Sequence, residues 1–161
     1  MNIRVGFGFD VHQLVEGIPL TLGGIKIPHT KGSLGHSDAD VLIHAICDAL
    51  LGAANLRDIG FHFPDTSAEL KGIDSKILLK KTVVLIAEKG YTIGNIDSTI
   101  SLQQPKVKDY IPQMQKILAQ TCQIDEDAIA IKATTTEKLG FEGREEGISA
   151  YAVVLIQKIQ K

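Results

Sequence analysis

The sequence predicts a mixed α/β fold of the α+β kind, a single domain with one mixed β-sheet backed by helices. Three observations predict it: strand-like alternation near the start, helix-like spacing in three central segments, and a strongly apolar strand at the end. At 161 residues the chain has the size of one domain and can bury a hydrophobic core. We therefore expect residues 1–161 to form one domain.

The first predicted strand covers residues 3–9, where apolar side chains occupy every odd position. A period of two is typical of a half-buried strand. Asp10 and His12 continue the even-numbered face, which also carries Gly6 and Gly8. We expect the two glycines to leave room above that face.

A tight hairpin is predicted next. Gly23-Gly24 separates the short apolar runs 20–22 and 25–27, and glycines readily adopt the positive φ that such turns need. Pro28 ends the second run. We expect two short strands here.

The first helix is predicted from a cap at Ser37 or Asp38 to about residue 54. Its apolar residues recur with helical spacing, and His44 lies within it.

Two further helices carry start and stop signals. One covers 75–89, with Ser75 as a possible cap and Gly90 as its stop. The other begins near Pro112, which suits a first helical turn, and runs to about residue 121.

The remaining predicted strands cover about 95–102, 129–133 and 148–158. The last of them carries apolar residues on both faces, which a sheet with one solvated face does not favour. A subunit interface could cover the second face.

Composition excludes several classes of function. The formal charge of −2 and a pI near 6.2 give no basic footprint for nucleic acid or an anionic membrane. Cys47 and Cys122 form no CxxC pair, so we expect small, reduced core residues. The N-terminus lacks the features of a signal peptide and no apolar run could span a bilayer. These features predict a cytoplasmic protein.

A metal site is the first chemical hypothesis. Asp10 and His12 lie two residues apart on a strand, so their side chains point to the same side. His44 lies one helical turn from Asp40 and from Asp48, and either carboxylate could orient its free ring nitrogen. Two nitrogens and one carboxylate suit a catalytic zinc with an open fourth position. From spacing alone the alternative stays open: His44 is a buried helix histidine and Asp10 caps a turn.

A phosphate site is the second hypothesis. The stretch 132–138, KATTTEK, combines hydroxyl donors, the carboxylate of Glu137 and lysines, and Arg144 follows it. This combination suits a phosphate with a divalent cation, although no P-loop or dinucleotide fingerprint is present. The alternative is a strand exit with a capping box between Thr134 and Glu137. The stretch 58–66 is predicted to be a loop, because glycine and proline interrupt it.

Five motifs occurring in one order resemble the 2-C-methyl-D-erythritol 2,4-cyclodiphosphate synthase family: GFDVH, GHSDADVLIHAICDALLGAANLRDIG, FPDT, QPK with IPQM downstream, and KATTTEKLGFEGREEGI. The resemblance covers nearly the whole chain. It implies a homotrimer with active sites between subunits, and a phosphorus–oxygen lyase of the non-mevalonate isoprenoid precursor pathway. Such an enzyme cyclises 4-diphosphocytidyl-2-C-methyl-D-erythritol 2-phosphate to 2-C-methyl-D-erythritol 2,4-cyclodiphosphate and releases CMP.

The resemblance also implies which residues hold metal ions. The zinc ligands, for one Zn²⁺ per subunit, correspond to Asp10, His12 and His44. Glu137 corresponds to the residue that holds Mg²⁺ or Mn²⁺ between the substrate phosphates.

The remaining roles implied by the resemblance concern the substrate. His36 and Thr135 correspond to the catalytic pair that positions the reacting phosphates. Besides the metal ligands Asp10 and His12, the methylerythritol side comprises His36, Ser37, Asp58, Ile59, Gly60, Phe63, Pro64 and Asp65. The cytidine side comprises Leu102, Gln103, Gln104, Pro105, Lys106, Val107, Lys108, Ala133, Thr134, Thr135, Thr136, Phe141 and Arg144.

Two alternative functions are distinguishable by their products. A zinc-dependent phosphohydrolase would use the same three ligands with a bound water and release inorganic phosphate or an open-chain product. A trimeric module that binds isoprenoid phosphates around a structural metal would need a fourth protein ligand.

Overall fold

The computed structural model describes residues 2–159. Within them the strands are β1 Ile3–Glu16, β2 Leu20–Leu22, β3 Ile25–Ile27, β4 Lys31–Leu34, β5 Tyr91–Ser101, β6 Ile129–Thr134 and β7 Gly147–Lys158. The helices are α1 Val41–Ala53, α2 Ile59–His62, α3 Ser75–Glu88, α4 Ile111–Cys122 and α5 Gly140–Gly143.

Five strands form one mixed sheet in the order β4-β1-β7-β5-β6, and β2 pairs with β3 in a separate hairpin. The neighbouring strands are antiparallel except for β5 and β6, which are parallel. Helix α1 packs on β1 and β7, α3 packs on α1, and α4 packs on β6 and α3. The predicted mixed sheet backed by helices is confirmed.

Strand β1 is longer than predicted, since it continues from residue 9 to Glu16. Its backbone pairs with β7 as far as Gln13 opposite Gly147, and with β4 from Gln13 opposite Leu34 onward. Beyond Phe9 the strand carries polar side chains such as Asp10 and His12, so the alternation of apolar residues and glycines ends there. The backbone hydrogen bonds of the strand nevertheless continue.

The glycine face of β1 is covered by α1 and is not open, contrary to the expectation. A Cβ atom built on Gly6 would lie 1.9 Å from the carbonyl oxygen of Ala49, and one on Gly8 would lie 1.9 Å from that of Ala45. The helix backbone therefore rests directly on the strand. Glycine is required at both positions for this close approach.

Helix α1 begins after Asp40, so the predicted caps at Ser37 and Asp38 are wrong. Asp40 Oδ1 accepts hydrogen bonds from the backbone N–H groups of Ile43 and Gly23, and Oδ2 accepts one from Gly24 at 2.7 Å. This buried carboxylate therefore joins the start of α1 to the β2–β3 hairpin. Burial raises its pKa in spite of the three donors.

Helix α3 is capped by Asp74, and the predicted cap Ser75 is its first helical residue. The helix ends at Glu88, and Gly90 follows with φ of 83°, as its predicted stop. The stretch 58–66 is not wholly a loop, because Asp58 accepts a hydrogen bond from Phe61 N–H and caps the short helix α2.

The core lies between the sheet and the helices. Cys47 and Cys122 are free thiols buried in it, as predicted, and burial raises the pKa of both. Among residues 2–159, no helix combines the length and the apolar character needed to cross a membrane.

Candidate functional site

Three side chains converge where β1 meets α1. Asp10 Oδ2 lies 3.0 Å from His12 Nε2 and 3.0 Å from His44 Nδ1, and the two nitrogens are 3.1 Å apart. Asp10 and His12 point toward the helix because they continue the glycine face of β1. The close approach of α1 to Gly8 brings His44 within reach.

Each histidine ring is held by its other nitrogen. His12 Nδ1 lies 3.1 Å from the carbonyl oxygen of Leu34. A carbonyl only accepts, so this nitrogen carries a proton, and in the neutral ring the lone pair of Nε2 faces the cluster. His44 Nε2 lies 2.9 Å from Ser75 Oγ and 3.1 Å from Ser37 Oγ.

Neither carboxylate expected to orient His44 does so. Asp40 binds the hairpin as described, and Asp48 Oδ1 accepts a hydrogen bond from Ile59 N–H at 2.8 Å. The prediction is wrong because one helical turn of spacing brings side chains near one another without fixing their rotamers. Ser75, the partner found instead, carries no sequence signal beyond its resemblance to a helix cap.

The electrostatics of the cluster favour a cation. Burial raises the pKa of Asp10, but hydrogen bonds and charge interactions with the two histidines outweigh it and lower the pKa from 3.8 to about 2. Burial lowers the pKa of His12, and its hydrogen bond and charge interaction with Asp10 raise it above 6.5 overall. Asp10 therefore stays ionised at neutral pH.

The donor set fits a divalent metal ion. One carboxylate and two imidazoles with lone pairs directed at a common point are ligands that zinc accepts. Bonds of 2.0 to 2.1 Å in tetrahedral geometry place ligand atoms about 3.3 Å apart, close to the separations found here. Among the described residues, Asp10, His12 and His44 are the one set of three or more His, Cys, Asp or Glu side chains placed closely enough to hold a metal ion. A metal ion held by these three side chains would keep a fourth position open.

A cavity of about 450 Å³ opens beside the three ligands. Its other lining residues are Gly35, His36, Ser37, Ile59, Gly60, Phe63, Asp65, Leu70, Ile73 and Leu78. Most of the predicted methylerythritol side is thus gathered here, with Asp58 and Pro64 adjoining it along the chain. A larger cavity of about 640 Å³ lies toward the β2–β3 hairpin and shares Gly35 and Ser37 with this one, but it contains none of the three ligands.

His36 is turned toward the wall of the cavity. Its Nε2 lies 2.9 Å from the carbonyl oxygen of Ser67, to which it donates, and its own carbonyl accepts from Gly72 N–H at 2.7 Å. These contacts hold the segment 63–73 over the cavity.

The predicted cytidine side forms a second cluster at the ends of β5 and β6. Leu102 N–H donates to the carbonyl of Thr134 at 3.0 Å, and Lys138 N–H donates to Gln103 Oε1 at 3.3 Å. Thr135 Oγ1 accepts from Glu137 N–H at 3.2 Å, so the capping box from Thr134 is not formed. The segments 102–108 and 133–138 therefore adjoin, as one site would require.

The two clusters are separated across the sheet. Strand register places four residues in one row, in the order Asp10, Ala150, Ile100 and Ala133. Three strand spacings of ~4.8 Å put the ends of this row about 14 Å apart. None of the residues from 102–108 or 133–138 lines the cavity beside Asp10, His12 and His44.

Phe141 and Arg144 lie near α5. Phe141 packs over Gly147 and shares a shallow surface cavity with His12. Arg144 is exposed and forms two hydrogen bonds with Glu146, at 3.0 and 3.1 Å.

The chain is similar to known proteins over nearly its whole length. The profile of the YgbB family matches residues 3–157. A protein of Bacteroides fragilis named 2-C-methyl-D-erythritol 2,4-cyclodiphosphate synthase is 72% identical over 159 residues, covering 99% of this chain and 100% of its own.

Two solved structures are also similar. The bifunctional IspDF of Campylobacter jejuni superposes with a TM-score of 0.95 at 46% identity, and the match covers 98% of this chain but 43% of that longer one. The IspF of Plasmodium falciparum, described as a CDP complex, superposes with a TM-score of 0.87 at 36% identity and covers 99% of this chain and 98% of its own.

Proposed function

Since the chain belongs to the YgbB family and is a 2-C-methyl-D-erythritol 2,4-cyclodiphosphate synthase of the isoprenoid pathway, we propose that it works as a metal-dependent homotrimer. In the reaction an oxygen of the 2-phosphate of the cytidyl substrate forms a bond to the phosphorus of the diphosphate that is attached to methylerythritol. The bond to the CMP phosphate breaks, and the electron pair leaves with CMP.

The observation that carries the proposal is the convergence of Asp10, His12 and His44 beside the cavity. Two imidazole nitrogens and a carboxylate oxygen within 3.1 Å of one another need either a shared proton or a cation between them. A divalent ion there, Zn²⁺ by its ligand types, supplies Lewis-acid polarisation of a phosphoryl oxygen worth several kcal/mol.

The residues of the chain have to position two anions rather than activate a nucleophile. A phosphate is ionised at neutral pH, so the reaction needs charge compensation and alignment more than a general base. We assign alignment to His36, which lines the cavity, and to Thr135 in the second cluster. Well-aligned intramolecular reactions gain about 7 to 11 kcal/mol from such positioning.

A neighbouring copy completes each site in this proposal. Thr135 and Glu137 lie in the second cluster, just after Ala133, which is about 14 Å across the sheet from Asp10 of its own chain. A diphosphate is too short to contact both clusters within one chain. We therefore assign the second cation, Mg²⁺ or Mn²⁺, and the cytidine contacts to the second cluster of an adjacent subunit.

The exposed face of the sheet supports this assembly. Val5 and Phe7 on β1 are 65% and 64% exposed, and Phe7 lies opposite Val153 of β7, which is 44% exposed. Phe9 packs against Tyr151 on the same face, with ring centroids 5.1 Å apart. An apolar surface that crosses two strands is typical of a buried interface, and we propose that it lines the interior of the trimer.

Phosphorus NMR of the purified protein with the cytidyl substrate, Zn²⁺ and Mg²⁺ tests the function. We expect CMP and a cyclic diphosphate to appear together, and no product after treatment with a chelator. CMP with an open-chain product would instead indicate a phosphohydrolase. Binding of the substrate without turnover would indicate the non-enzymatic module.

A further inference from the structure

The second nitrogen of the His44 ring leads into a buried chain of hydrogen bonds. His44 Nε2 lies 2.9 Å from Ser75 Oγ, and Ser75 is fully buried at the start of α3. The same hydroxyl makes a short hydrogen bond with Asp38 Oδ1, and Asp38 Oδ2 accepts from Ser75 N–H at 3.0 Å. Asp38 is thus joined to Ser75 by both its oxygens.

The direction of each hydrogen bond follows from the chemistry of the groups. Both oxygens of Asp38 accept from backbone N–H groups, Oδ1 from Asp40 and Oδ2 from Ser75, so Asp38 acts as the acceptor. The Ser75 hydroxyl therefore donates its single proton to Asp38. Its oxygen is left to accept from His44, which requires the proton of the ring to be on Nε2.

We propose that Ser75 and Asp38 are positioning residues for the metal ion, fixing His44 in the tautomer whose Nδ1 lone pair faces Asp10 and His12. The inference rests on the proposed metal site. Hydrogen-bond partners of this kind orient a ligating imidazole and increase its basicity. In many metal sites a carboxylate accepts a hydrogen bond directly from the ligating imidazole. Here Ser75 lies between the His44 ring and the carboxylate of Asp38.

Ser37 cannot replace Ser75 in this role. Its hydroxyl oxygen is 3.1 Å from His44 Nε2, a longer contact than that of Ser75, and it also accepts from Ala39 N–H at 3.1 Å. Among residues 2–159, no carboxylate forms a hydrogen bond with the Ser37 hydroxyl. Removal of Ser75 therefore leaves the ring with one weaker acceptor.

The connection also joins the metal ligand to the wall of the cavity. Asp38 N–H donates to the carbonyl of Ile73, and Ile73 lines the cavity two residues before Ser75. The His44 ring and this wall are therefore both connected to Asp38, the ring through Ser75 and the Asp38 side chain, and the wall through the Asp38 main chain.

Zinc affinity of the purified full chain, measured by competition with a chromophoric chelator, tests the inference. Ser75→Ala should weaken Zn²⁺ binding about 10- to 100-fold, the effect typical of losing such a partner. Asp38→Asn, which keeps an acceptor but loses the charge, should weaken it less. Ser75→Thr, which keeps the hydroxyl, should restore most of the affinity lost in Ser75→Ala.

A matched control and a second readout separate positioning from a general loss of structure. Ser98→Ala removes a buried hydroxyl that donates to the carbonyl of Ala130 in the sheet, and it should leave zinc affinity unchanged. Nitrogen-15 shifts of the His44 ring in the zinc-loaded protein should show a protonated Nε2 and a metal-bound Nδ1.

The outcomes distinguish this inference from the proposed function. Equal zinc affinity in Ser75→Ala and the unsubstituted protein overturns the positioning role and leaves the metal site intact. A protonated Nδ1 in the zinc-loaded protein overturns it as well. If the unsubstituted protein binds no divalent ion, the metal assignment itself is wrong. Should Ser75→Ala fail to fold, as circular dichroism would reveal, Asp38→Asn decides the question, because unchanged zinc affinity in that variant overturns the positioning role.

Discussion

Gly8 of β1 lies directly under Ala45 of α1, so close that a Cβ atom on Gly8 would stand 1.9 Å from the Ala45 carbonyl oxygen. Ala45 follows His44 in the chain. The distance between strand and helix therefore also sets the distance between His44 and the two ligands on β1. The absence of one methyl group is a condition for the metal site.

Gly8→Ala should disrupt both packing and metal binding. The added Cβ meets backbone atoms of α1, which can move only if the whole helix moves. Overpacking costs about 1 to 3 kcal/mol, and a backbone collision belongs at the upper end. Urea unfolding should show that the free energy of unfolding falls by about 3 kcal/mol. The protein that remains folded should bind zinc more weakly.

Gly52→Ala is the matched control for that substitution. Gly52 lies within α1, and apart from its chain neighbours and the backbone of its own helix a Cβ there would meet no described atom within 4 Å. Alanine in a helix is favoured over glycine by about 0.5 to 1 kcal/mol, so this variant should become more stable. A similar loss in both variants would mean that the close approach at Gly8 is not the cause.

His44→Ala should abolish zinc binding while the protein remains folded. The substitution removes one of three ligands, and the remaining carboxylate and imidazole hold the ion poorly. Elemental analysis of the purified variant measures the metal. His29→Ala is the control, since within the described part of the chain His29 Nε2 is buried without a hydrogen-bond partner and His29 does not belong to the cluster. Full zinc occupancy in His44→Ala would exclude it as a ligand.

Local patterns in the sequence predicted much of this architecture. The spacing of Asp10 and His12 put them on one strand face, and the apolar periodicity placed His44 inside a helix. The hairpin turn at Gly23-Gly24 was also predicted correctly, since its signal lies within a few residues. Each of these features depends on neighbours along the chain.

Features that depend on distant contacts were missed. Ser75 meets His44 across 31 positions of sequence, and no periodicity links them. The odd-numbered face of β1 is apolar yet exposed in a single chain, because the glycine face is the one covered by α1. Side-chain alternation gives two faces to a strand but does not indicate which one the helix covers.

Phe7→Asp should dissociate the proposed trimer. Phe7 is 64% exposed in the single chain, so the substitution costs the folded subunit little, whereas burying a carboxylate in an apolar interface is unfavourable. Light scattering should report about three times 17.4 kDa for the unsubstituted protein and 17.4 kDa for the variant. Cyclase activity should fall with the mass, because each site needs residues from two copies.

Gln113→Glu, on the exposed surface of α4, is the control for an added negative charge and should keep the trimer mass. An unsubstituted protein with a mass near 17.4 kDa would contradict the assembly. So would a Phe7→Asp variant that remains trimeric.

Asp48→Asn should stabilise the protein at neutral pH but not in acid. Asp48 lies on α1, where burial raises the pKa of its carboxyl above 3.8, the hydrogen bond from Ile59 N–H opposes this, and the charges of Asp58 and Asp10 raise the pKa further. A raised pKa means that folding favours the protonated form. The stability that this group contributes is full below pH 3.8 and is lost as the pH rises through its pKa in the folded protein.

Asparagine keeps the oxygen that accepts from Ile59 N–H but carries no charge to bury. The free energy of unfolding of Asp48→Asn should therefore exceed that of the unsubstituted protein at pH 7, and the difference should disappear near pH 3. Urea titrations at the two pH values measure it, with the exposed Asp125→Asn as control. An equal gain at both pH values would show that the charge of Asp48 is not its source, since only an ionised carboxylate suffers the cost of burial.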